Sequence, residues 1–189
     1  MKQRCTWSEQ TESMKIYHDT IWGVPEYNDQ KLFRKLILDI NQAGLSWQTI
    51  LNKSEAFDEA YEFFDIDKVA HFNEQKIDEL MENKGIIRNR RKIEAAIANA
   101  KGVQRIQQEC GSFSNYLWSF SDDKVINSSY KEQKDVPTTS SLSDQITKDL
   151  KKRGFKFIGS TTIYAFLEAV GIVNDHLDTC FRKQEVNSD

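Results

Sequence analysis

Apolar residues recur at helical spacing along almost the whole chain, and strand-like alternation never lasts beyond four residues, the nearest case being FKFI at 155–158. A pattern with that period cannot cover the face of a sheet, so it predicts an all-α architecture with short connections. Asn28 stands as N-cap before Leu32, Phe33, Leu36, Ile37 and Ile40, and Gly44 follows as the terminating glycine. A second stripe runs Trp47, Ile50, Leu51, Phe57, Tyr61, Phe64 behind Ser46. Asn73 opens a helix with Ile77, Leu80 and Met81, and Asn89 opens one through Ile93, Ala96, Ile97, Ala100 and Val103. Phe113, Tyr116, Leu117 and Phe120 mark another, Ser143 is expected to cap a helix ending at Gly154, and Thr161 or Thr162 the last long one. Residues 121–141 are aperiodic and polar and read as a surface loop.

The size, 189 residues, suits one domain spanning 1–189, and 39% hydrophobic residues suffice for a core. The longest stretch without a charge, Ile40–Asn52, has 13 residues, short of the ~20 that a membrane-crossing helix needs. Residues 1–30 carry charges throughout, so no export signal and a cytoplasmic location are expected. Three cysteines build no disulfide framework, and free or metal-bound thiols fit that compartment.

Charge is segregated. Residues 55–82 hold ten acids against two lysines, whereas 84–105 hold seven basic residues and one glutamate, and 148–156 five and one. A basic run is ordinarily a solvated helix face, but two of them beside glycine turns suit a phosphate-contacting surface. ENKGIIRNRRKIEAAI at 82–97 reads as helix, turn, helix, a form that presents backbone N–H groups and arginines to phosphate.

His176 and Cys180 are spaced i, i+4, which on a helical turn aims both one way. With Cys5 and His18 they make a Cys₂His₂ set of the kind that closes a structural zinc site. Spacing alone also allows four unrelated residues, since Cys5 and His18 form no tight knuckle. Cys110 and His71 read as structural. Trp7, Tyr17, Trp22 and Trp47 gather in the first 47 residues, suited to a core or to stacking on a base. Asp39 lies at the edge of the apolar stripe on its helix, where exposure at the rim is the expectation.

Taken together, RCTW (4–7), YHDTIWGVP (17–25), QAGLSWQTIL (42–51), GIIRNRRKI (85–93) and the run from Leu150 to His176 resemble the 3-methyladenine DNA glycosylase I family over nearly the whole chain. The resemblance implies the helix-hairpin-helix glycosylase fold, with the hairpin at 82–97, and one structural zinc per chain on Cys5, His18, His176 and Cys180. That zinc would join the N-terminal segment (1–25) to the C-terminal segment (172–183). It implies a base pocket at Tyr17, Trp22 and Trp47 with Trp7 adjoining, and Asp39 as the base-recognising acid. Contacts to alkylated double-stranded DNA are expected from Gln42, Gly44 and Leu45, from Gly85, Arg88, Arg90, Arg91 and Lys92, and from Lys152 and Arg153. The implied reaction is hydrolysis of the N-glycosidic bond of 3-methyladenine without a lyase step, by a monomer with no obligate protein partner. One departure stands out: LDINQAGLSW replaces the family's LEGQQAGLSW-like segment, so Asp39 is one methylene shorter than the usual glutamate and Ile40 replaces a small residue.

Overall fold

The computed structural model describes residues 2–186. After a 3₁₀ turn at Thr6–Gln10 come α1 (Glu12–Thr20) and α2 (Asp29–Gln42), then α3 (Trp47–Asn52), α4 (Ser54–Ala60), α5 (Ile66–Ala70) and α6 (Glu74–Glu82). The long α7 (Arg90–Cys110) and α8 (Phe113–Ser119) precede β1 (Ile126–Asn127). α9 (Ser141–Lys152), α10 (Ser160–Ala169), β2 (Val173–Asn174) and α11 (Arg182–Glu185) complete the order. Helix predominates as the periodicity requires, and the only strand pairing among the described residues is the two-residue parallel bridge of β1 with β2.

α2 is the central helix. Asn28 accepts from the Lys31 amide at 3.0 Å as N-cap, and Leu32, Phe33, Leu36, Ile37 and Ile40 are fully buried. It packs against α3, α7, α8 and α10, so its residues face the middle of the molecule from several sides. Asn73 and Asn89 cap α6 and α7 as their spacing predicts.

Three local expectations are corrected. The stripe from Trp47 to Phe64 is not one helix: it divides into α3, α4 and a 3₁₀ turn in which Glu62, Phe63 and Phe64 take left-handed φ values of 52–58°. That turn costs about 1–2 kcal/mol per residue, and it lets Phe64 bury completely and stack on Tyr61 at 5.4 Å. Ser140 rather than Ser143 caps α9, Ser143 serving as the return partner of a capping box. Gly159 precedes α10 where Thr161 or Thr162 was expected. FKFI is no strand: Phe155 and Ile158 point into the core, while Phe157 turns out at φ 58°.

Candidate active site

Cys5 and His18 lie before and on α1, and His176 and Cys180 lie in the irregular segment after β2. All four are buried, and their donor atoms lie within 4.8 Å of one another. The sulfur-to-nitrogen separations are 3.7 Å for Cys5–His176, 3.5 Å for Cys180–His176 and 3.4 Å for Cys180–His18. A tetrahedral zinc with bonds of about 2.3 Å to sulfur and 2.05 Å to nitrogen has S···N edges of about 3.5 Å, so the donor set fits that ion. His176 and Cys180 converge without the helical turn expected of their spacing; the Cys180 amide instead donates to the Leu177 carbonyl at 2.8 Å.

The surroundings favour a cation. A hydrogen bond from Cys5, with help from His176 and His18, draws Cys180 below the ordinary thiol range against the effect of burial, while Cys5 is pushed up by Cys180 and by burial. The His18 Nδ1 is 2.8 Å from Asp19, whose carboxylate accepts a two-nitrogen clamp from Arg4, so Nε2 is turned toward the sulfurs. Gly23 has φ 80°, and a Cβ there would come 2.7 Å from the His176 ring, so only glycine fits.

Aromatic rings lead away from this cluster. Trp22 meets His176 edge-on at 4.6 Å, Trp7 meets Trp22 at 5.1 Å, and Tyr17 lies 6.2 Å from Trp7 and 5.1 Å from Trp47. Tyr17 and Trp47, with Leu38, Ile50 and Ala169, line a pocket of about 540 Å³ between α1, α2, α3 and the end of α10. Trp7 and Trp22 belong to the layer between pocket and cluster and do not line it.

Asp39 is not at the rim. It is 5% exposed, its Oδ1 is 2.5 Å from the Lys35 ammonium, and its buried Oδ2 has no partner. Helical periodicity located the residue at the edge of the stripe, but α3 and α10 close over that edge. Lys35, which sequence reasoning passed over, also sits 3.7 Å from the centre of the Trp47 ring. Its i, i+4 spacing to Asp39 was the available signal. Burial pushes the Asp39 carboxyl up and the Lys35 ammonium down, and each charge draws the other back toward ionisation. Burial also holds the Glu168 carboxyl, the second residue missed, up at about 9, aided by nearby Asp175 and Asp39, so it is neutral near pH 7. Tyr17 stays a phenol, its pKa raised by burial and by Asp39.

Beside the pocket, α2 ends in a protruding turn in which Gln42 is half-buried, Gly44 takes φ 81° and Leu45 is 41% exposed. Of the basic residues singled out, Arg88, Arg91 and Lys152 are exposed. Arg90 is instead held by Glu74, Asp78 and Glu94, and Arg153 by Asp149 and Glu109 with its guanidinium on Tyr116. Lys92 turns inward: 5% exposed, it donates to the carbonyls of Asn41 and Ala43 at 2.9 Å each, tying α7 to the protruding turn. The Gly85 amide donates to Asn83 Oδ1 at 2.8 Å, and Lys53 donates to the carbonyls of Lys84 and Gly85.

A crystal structure of 3-methyladenine DNA glycosylase I in complex with 3-methyladenine matches this fold with a TM-score of 0.92 and 40% identity, covering 95% of this chain and 97% of that one. The helical fold is thus that of a DNA glycosylase. More narrowly, the chain belongs to the methyladenine glycosylase family, whose profile matches residues 7–183. It is 45% identical over 181 residues to the DNA-3-methyladenine glycosylase of Haemophilus influenzae, covering 95% of this chain and 97% of that protein. It is 42% identical over 178 residues to DNA-3-methyladenine glycosylase 1 of Escherichia coli, covering 94% and 95%.

Proposed function

We propose that this protein excises 3-methyladenine from alkylated double-stranded DNA as a monofunctional, base-flipping glycosylase. The observation that carries the reading is a pocket lined by Tyr17 and Trp47 in which Lys35 lies between the Trp47 ring and the buried Asp39 carboxylate, one oxygen of which has no partner. Methylation at N3 gives the base a positive charge. An anion behind an indole face then binds the lesion better than neutral adenine, by about 0.5–2 kcal/mol for the ring contact alone. Flipping costs a few kcal/mol, less for a damaged base, and the turn of Gln42, Gly44 and Leu45 would fill the space that the base leaves.

In the reaction the C1′–N9 bond breaks and its electron pair neutralises the departing base. Water then adds to the sugar carbon and its proton passes to solvent. The leaving group is already activated by its charge, so the pocket has little acid catalysis to supply. Its work is to orient the base, exclude water from its faces and stabilise the cationic sugar through Asp39. No aspartate lies between Asp78 and Asp122, in keeping with a labile substrate.

Cys5, His18, His176 and Cys180 would hold one structural zinc per chain, fastening the ends of the chain beneath the pocket. The segment 82–97 would act as the helix-hairpin-helix element, with Arg88 and Arg91 on phosphates beside Lys152.

Incubation with methylated DNA should release free 3-methyladenine; tight binding to the lesion with no release would instead mark a damage-recognition module. Arg91→Ala and Lys152→Ala should each reduce the slope of log affinity against log salt by about 1. Arg90→Ala and Arg153→Ala should leave that slope in place and lower thermal stability, because their charges are spent on intramolecular carboxylates.

A further inference from the structure

The seat that a cationic base would take is filled by a group of the protein itself. Lys35 stands one helical turn before Asp39 on α2, and its ammonium lies 2.5 Å from Asp39 Oδ1 and 3.7 Å from the centre of the Trp47 ring. The Tyr17 ring is 5.6 Å away. These are the partners that would distinguish a methylated purine from adenine: a carboxylate and an electron-rich ring face. Lys35 lines the pocket and Asp39 does not; with Lys31, Arg34 and Glu26 also in the lining, the charge at the Trp47 face is that of Lys35, and it is positive.

We propose that Lys35 is a specificity-determining residue: its ammonium competes with a positively charged base for Asp39 and Trp47, and the lesion gains that seat only by displacing it. The proposal deepens the glycosylase reading and rests on the pocket being the base site. Two consequences follow from electrostatics. A cationic base loses part of its advantage to the internal ammonium, and while Lys35 stays in place the two positive charges repel. A neutral purine meets no repulsion and offers ring nitrogens that accept from the ammonium. The pocket therefore discriminates less sharply between cationic and neutral bases than the same rings and carboxylate would without the lysine. The long, unbranched side chain makes displacement feasible, since its four methylenes can swing the ammonium toward the open side of the pocket.

The test compares two probes that differ by one methyl group and one charge, 9-methyladenine (neutral) and 3,9-dimethyladeninium (cationic). Their binding to the whole protein is followed by quenching of tryptophan fluorescence. Lys35→Met should raise the ratio of cationic to neutral affinity on the order of tenfold, and Lys35→Gln, which can still donate to Asp39, should move it the same way. Lys35→Arg should keep the ratio low. Adding Asp39→Asn to Lys35→Met should erase the gain, since the anion behind the seat is gone. An unchanged ratio in both Lys35→Met and Lys35→Gln overturns the proposal. That failure is separable from failure of the glycosylase reading: an unaltered ratio in a protein that releases 3-methyladenine sinks only the role of Lys35, whereas absence of release sinks the reading whatever the ratio.

Discussion

Cys180→Ser should abolish stoichiometric metal and lower the melting temperature by roughly 10 °C, corresponding to about 3 kcal/mol or more for a chain of this size. The expectation follows from where the four donors come from. Cys5 and His176 are 171 positions apart, and Cys180 and His18 are 162 apart. The Phe181 amide also donates to the Gln3 carbonyl at 2.9 Å, and Lys2 and Arg4 lie over the Phe181 ring. A metal on this set would close loops spanning 171 and 162 positions, and its loss would leave four buried donors without a common partner. A strong chelator should produce the same fall in the wild type and little further change in Cys180→Ser. A purified protein that is metal-free and equally stable would refute the metal centre.

Asp39→Asn should lower kcat/KM for release of 3-methyladenine by about 10²–10³-fold, the scale on which a single preorganised electrostatic group acts. The substitution keeps the size of the side chain but removes the negative charge that would favour a cationic base and stabilise a cationic sugar. It also strands the Lys35 ammonium in a buried position, so some loss of stability is expected alongside the loss of rate. Combining it with Lys35→Met separates the two effects: melting temperature should recover and activity should not. Recovery of full activity in the double variant would mean that Asp39 acts only to neutralise Lys35.

The aromatic pocket was partly legible before any coordinates. Tyr17 and Trp47, named together from the sequence, line one pocket, and Cys5, His18, His176 and Cys180 stand close enough to hold a metal. What sequence reasoning placed wrongly has a common origin. Asp39 was expected at the rim because helical angle says which side of α2 a residue faces but not which neighbour covers that side. Arg90, Arg153 and Lys92 carry the charge expected of a DNA-facing surface, yet the carboxylates and carbonyls that engage them come from other elements or other turns. Lys35 escaped notice for the same reason: a lysine on an amphipathic helix reads as solvated until Trp47 is seen above it.

Local sequence accounts for most of the helices and for four of their starts. Those depend on bonds that reach three or four residues, as when Asn28, Ser46, Asn73 and Asn89 each accept from an amide three positions on. Which charges are spent and which remain for a ligand was settled by packing between distant segments. That outcome depends on groups brought together across the chain, where burial strips water from a charge and makes its nearest partner count.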